Sequence, residues 1–175
     1  MQKILLGGHD LDIIKLSFPL LIHGEEGSGA SFYTISLAAN LYTAGFTILF
    51  LCGYEMAEKK FIEQVEKMDK NKIQFFVKER VEEFKEVLTH INEDTVIVIK
   101  NIELFAEDIF EFVSSRNKLI ISGDINQCAF KDKIFEMHFD TRIFFSRLEK
   151  FDIPAMNKYE GYLLSTIGNG ITKIA

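Results

Sequence analysis

A series of short, almost wholly apolar runs, each separated from the next by a stretch of helical periodicity, leaves this chain few architectures to choose from. The clearest runs are residues 46–52, bounded by Gly45 and Gly53, residues 95–99, and residues 118–122 ahead of Gly123-Asp124. A strand that is apolar at successive positions must be covered on both faces, which is the condition of a strand inside a parallel sheet. Residues 18–23 and 72–77 read as two more strands. Helical patterning fills the gaps at 31–44, 55–68, 79–91 and 103–115. Strand and helix therefore alternate, and alternation predicts a three-layer α/β sandwich: a mostly parallel central sheet, helices on both faces, and right-handed crossovers. The final third departs from this rhythm. After an irregular or helical stretch at 126–137, residues 141–146, 162–167 and 171–174 read as strands, and Gly168-Asn169-Gly170 is a hairpin signal, so the sheet is expected to end in an antiparallel hairpin. With no repeat, linker or low-complexity segment, residues 1–175 are expected to form a single domain.

Between the first strand and the first helix lies Gly24-Glu25-Glu26-Gly27-Ser28-Gly29-Ala30-Ser31. It fits the phosphate-binding pattern G-x-x-x-x-G-K-[ST] at every fixed position except the lysine, whose place is taken by Ala30. Glycines let the backbone of such a loop curl until its N–H groups and the N-terminus of the following helix face an anion. The cradle is present and its cation is missing. Strand, loop and helix stand in the order that this chemistry requires, with Leu37, Ala38, Leu41 and Ala44 at helical spacing on one face and Gly45 as the stop.

Composition excludes several alternatives. No apolar run approaches the roughly 18 residues of a membrane span, and the opening residues carry charge too early for a signal peptide, so a cytosolic protein is expected. Cys52 and Cys128 share no metal-site spacing and read as small apolar residues in or beside strands. The net charge of −6 offers nucleic acid no global attraction. The 17 phenylalanines, with no tryptophan, are assigned mainly to the core; those at the surface would mark an interface.

The layout over residues 18–174 resembles the RecA-like branch of P-loop ATPases, the group of recombinases, KaiC-type ATPases and FtsK- or HerA-type translocases. The glycine loop carries most of the resemblance. The run Thr95-Val96-Ile97-Val98-Ile99-Lys100-Asn101 stands where the family has four apolar residues and then an aspartate, Ile121-Ser122-Gly123-Asp124 resembles the strand with a polar sensor at its tip, and the terminal hairpin resembles the family's closing strands. The resemblance implies an acidic residue supporting Mg²⁺ at the place where Lys100 stands, with a nearby glutamate polarising water. Both hallmark charges are thus changed, the lysine to Ala30 and the aspartate to Lys100. Phosphoryl transfer depends on positioning and charge neutralisation, so this double change predicts a rate lower by orders of magnitude.

In such a fold the tip of that strand lies beside the loop, and the Lys100 ammonium is a candidate to fill the space left by Ala30. The simpler reading ends the strand in solvent or pairs Lys100 with Glu103, Glu25 or Asp124. Glu25 and Glu26 read as outward-pointing variable positions of the loop or else as residues that block the pocket or pair with Lys100, His23 as a strand-end residue, Asp124 as a cap or turn residue or else a sensor, with Gln127 beside it, and Glu103 as a helix-start acid. Arg142 and Arg147 are read as surface ion-pair formers, with a trans-acting arginine finger as the alternative.

These readings make Gly24, Gly27, Ser28, Gly29, Ala30, Ser31 and Lys100 the candidate nucleotide- or phosphate-binding residues. No catalytic residue and no metal ligand is assigned. ATP or another nucleotide, held without strong dependence on Mg²⁺, is the candidate ligand. The expected function is that of a catalytically inactive ATPase-like domain acting as a structural or regulatory subunit, with a protein partner or further copies of itself. The alternatives are a nucleotide or phosphate sensor that uses Lys100, and an accessory subunit of a DNA recombination or translocation assembly.

Overall fold

The structure, a computed structural model, describes residues 17–53, 69, 71–147, 159–165 and 170–173, the last two segments and residues 146 and 147 by their backbone alone. The helix expected at 55–68 and the turn at 168–170 fall wholly or largely outside the described residues.

Eight strands form one sheet: β1 (Leu20–Gly24), β2 (Ile48–Cys52), β3 (Ile73–Val77), β4 (Val96–Lys100), β5 (Leu119–Gly123), β6 (Thr141–Arg147), β7 (Tyr159–Ser165) and β8 (Gly170–Lys173). Their order across the sheet is β3-β2-β4-β5-β1-β6-β7-β8. The first six are mutually parallel and the last two add antiparallel, as the hairpin signal predicts. The helices are α1 (Ala30–Thr43), α2 (Val81–His90), α3 (Glu107–Val113) and α4 (Lys131–Glu136).

Two apolar clusters, one on each face, explain why the strands are apolar throughout. Leu20, Ile22, Phe50, Cys52, Val98 and Ile120 meet α1 through Leu37, Ala38 and Leu41. Their sequence neighbours Leu21, Leu51, Ile97, Ile99 and Ile121 point the other way, as a period of two requires, and meet α2, α3 and α4 through Phe84, Phe110 and Ile134. Each such side chain taken out of water contributes roughly 1.5–3 kcal/mol, and the two faces together hold the sheet between its helices. Among the described residues most phenylalanines are buried or half-buried: Phe50 stacks on Phe75 and Phe76 meets Phe84 edge-on. Phe32, Phe112 and Phe135 are exposed.

One prediction needs correction here. The helix expected at 103–115 is divided into a 3-10 turn, Ile102–Leu104, and the shorter α3, because Asn101 takes a left-handed conformation (φ 60°, ψ 53°) at the end of β4 and Phe105 returns to extended backbone. Helical spacing persists across such a break, so the pattern alone does not show it. Likewise residues 78–80 form a 3-10 turn ahead of α2.

Candidate functional site

The chain leaves β1, crosses over through α1, and re-enters the sheet at β2, beyond both β5 and β4. That jump opens a crevice at the carboxyl ends of β1, β5 and β4, the place where open α/β sheets receive ligands. A cleft of about 460 Å³ occupies it, within the range of small-molecule sites. Gly24, Glu25, Glu26, Gly27, Ala30 and Ser31 form one wall, and Lys100, Asn101, Glu103, Ser122, Asp124 and Gln127 form the other.

The loop owes its shape to particular glycines. Gly29 has φ 96° and is the N-cap of α1, a left-handed position that a side chain would strain. Gly24 is required by proximity, since a β-carbon there would lie 2.4 Å from Ser28 Oγ and 2.7 Å from Ala30 Cβ. The Ser28 N–H donates to Glu25 O at 3.0 Å, which closes the turn. Helix α1 makes its first internal bond from Tyr33 N–H to Gly29 O, leaving the N–H groups of Ser31 and Phe32 directed out of the helix end. No acidic side chain stands in that first turn and no side chain caps it. The positive end of the helix dipole therefore faces the cleft. Of the loop residues read as binding, Ser28 is turned inward, where its hydroxyl meets the Ala30 N–H at 3.5 Å, while Gly24, Gly27, Ala30 and Ser31 border the cleft.

Lys100 borders the same cleft. It ends β4, is only 2% exposed, and its ammonium donates to Asn101 Oδ1 at 2.8 Å. Strand register aligns it with Cys52 on one side and Ser122 on the other, and Ser122 with Ile22. These four side chains form a row on the face covered by α1, so Lys100 leaves the sheet on the side where the glycine loop and the start of α1 lie. The two wall carboxylates, by contrast, are engaged by nearby N–H donors. Glu103 accepts the Asp124 N–H at 3.2 Å and the Asn101 amide at 3.4 Å. Asp124 accepts the Asn126 N–H at 3.2 Å and the Gln127 amide at 2.9 Å, the cap role expected of it. Glu103 does not begin a helix, as its sequence position predicts; it ties the end of β4 to the end of β5. That role depends on a contact across the sheet, which no local pattern announces.

Two residues at the edge of the site have contacts of their own. His23 Nδ1 lies 3.1 Å from the Ile125 N–H and accepts it, so His23 braces the turn after β5 from the end of β1. Arg142 forms no ion pair among the described residues. Its guanidinium lies over the Phe139 ring and donates to the carbonyls of Phe135 and Met137, closing the end of α4.

Solved structures share this architecture. The flagellar accessory protein FlaH from Methanocaldococcus jannaschii superposes with a TM-score of 0.56 at 14% identity, over 84% of this chain and 76% of that one. The ATPase domain of a second protein superposes with a TM-score of 0.54 at 12% identity, over 89% and 79%. No family model matches the sequence, and no curated protein matches it. The fold is that of the RecA-like P-loop NTPases. Among the described residues no helix is long and apolar enough to cross a membrane.

Proposed function

We propose that this chain is a catalytically inactive RecA-like domain that binds the phosphate end of a nucleotide and serves as a regulatory subunit of a larger assembly. The observation that carries the reading is the buried Lys100, a cation rising from β4 into the cleft bordered by the glycine loop. A helix N-terminus with its N–H groups directed outward supplies part of an anion site, and an ammonium bordering the same cleft supplies the charge that Ala30 does not. The same substitution removes the carboxylate that would support the metal of a working ATPase, so binding and turnover are separated by one residue. One solved structure with this fold is titled a flagellar accessory protein, and an accessory role accords with a domain that holds a ligand without consuming it.

Titration calorimetry with ATP and ADP, beside a phosphate-release assay, tests the proposal. Binding is expected in wild type and is expected to disappear in Lys100→Ala. Turnover of around one per second or faster would show an ordinary ATPase and sink the inactive reading. Absence of binding at millimolar nucleotide would sink the anion site.

A further inference from the structure

The form in which the ligand binds follows from the donor set, given the reading of the cleft as an anion site. The fold implies a divalent cation beside bound phosphates. The residues here do not fit one. Lys100 stands at the strand tip in place of the supporting carboxylate, and a buried ammonium repels a second cation strongly in a partly desolvated cleft. The carboxylates that remain on this wall, Glu103 and Asp124, are turned to N–H donors of their own backbone and neighbours. Among the described residues no three His, Cys, Asp or Glu side chains are grouped to hold an ion. Ser31, whose counterpart in the motif gives its hydroxyl to the metal, stands on the opposite wall with Glu25 and Glu26, and the three fall short of a grouped ion site.

The wall has a second feature that points to an anion. Ser122 is 1% exposed, borders the cleft, and its Oγ has no hydrogen-bond partner among the described residues. A buried hydroxyl left without a partner costs about 1–3 kcal/mol in the empty site, a cost that a ligand acceptor removes on binding. Ser122 is the register partner of Lys100 on the adjacent strand, so the hydroxyl and the ammonium stand side by side on the α1 face. Together with the N–H groups of Ser31 and Phe32 they make an array of donors converging from the sheet and from the helix end. Such an array suits bare phosphate oxygens. It does not suit oxygens already shared with a metal ion.

We propose that the cleft takes a nucleoside di- or triphosphate as the metal-free anion, that Lys100 and Ser122 together stand in for the divalent cation, and that Mg²⁺ competes with the protein for the ligand. The test is calorimetric titration of the full chain with ADP and with ATP, once in EDTA and once in excess Mg²⁺. Affinity is expected to be weaker in Mg²⁺ by about tenfold or more, a difference of about 1.4 kcal/mol per decade. Ser122→Ala is expected to weaken binding in EDTA by about three- to tenfold, while the ligand-free variant unfolds at the same or a higher temperature, because the hydroxyl it loses has no partner there. A purely structural role for Ser122 would give the opposite pair of results. Affinity that is equal or tighter in Mg²⁺ overturns the metal-free inference and leaves the anion site standing. Absence of binding in either buffer overturns both.

Discussion

The Glu103 carboxylate accepts the Asp124 backbone N–H at 3.2 Å, and through that bond the ends of β4 and β5 are held as one wall of the cleft. Gly123 makes the approach feasible, since a β-carbon there would lie 2.0 Å from Glu103 Oε2 and its φ of 151° is one that side chains rarely adopt. Hydrogen bonds to a charged acceptor contribute about 1.5–3 kcal/mol, reduced here by partial exposure. Glu103→Ala is therefore expected to lower stability by about 1–2 kcal/mol, read by urea denaturation, and to speed amide exchange at Asp124 relative to the core of β5. Unchanged exchange at Asp124 would show that the bond does not hold the wall together.

Gly24→Ala tests the loop itself. The added methyl would meet Ser28 Oγ, Ala30 Cβ and, at 2.9 Å, Phe145 Cβ, so the clash is with atoms one or two bonds from the backbone and has little slack. Overpacking of this kind costs about 1–3 kcal/mol. In a chain of this length each kcal/mol corresponds to about 2–4 °C in Tm, and calorimetry should register the fall together with lost nucleotide binding. A variant with wild-type Tm would mean that the loop relaxes more freely than its packing indicates.

What was readable in the sequence, and what was not, divides along physical lines. The apolar runs located β2, β4 and β5 within two residues at each end, because a strand buried on both faces leaves a continuous local record. The glycine loop was legible for a similar reason: Gly27 and Gly29 have positive φ that few other residues tolerate. Contacts across the sheet left no such trace. The bond from Glu103 to Asp124 spans 21 positions, the brace from Ile125 to His23 spans 102, and the alignment of Lys100 with Ser122 exists only once β4 and β5 are paired. The missing partner of Ser122 is still less accessible, since an unsatisfied hydroxyl is defined by everything that fails to surround it.

Both described cysteines are buried, and burial, with the Glu103 charge adding to it, pushes the Cys128 thiol above its ordinary range. The reactive thiolate is correspondingly scarce at neutral pH and becomes commoner only as pH rises. Iodoacetamide is expected to leave Cys128 unmodified in the native protein at pH 7 and to alkylate it promptly in denaturant, as intact-mass spectrometry can follow. Rapid native labelling at Cys128 would show that the turn after β5 opens far more often than its hydrogen bonds imply.

The sharpest prediction comes from exchanging the two altered charges. Lys100→Asp alone places a carboxylate where the ammonium stood while Ala30 still offers no cation, so phosphate binding should be lost. Adding Ala30→Lys returns a lysine to the loop and leaves a carboxylate at the end of β4 to support a metal, the arrangement that suits a chelated nucleotide. The double variant is expected to bind nucleotide more tightly in Mg²⁺ than in EDTA, the reverse of wild type, by a factor of about ten. Ala30 lies in the first turn of α1 and borders the cleft, so a lysine there starts at the edge of the site. Parallel titrations of the wild type and both variants decide the matter: if the double variant keeps the wild-type preference for EDTA, the charge at the tip of β4 is not what governs the response to the metal.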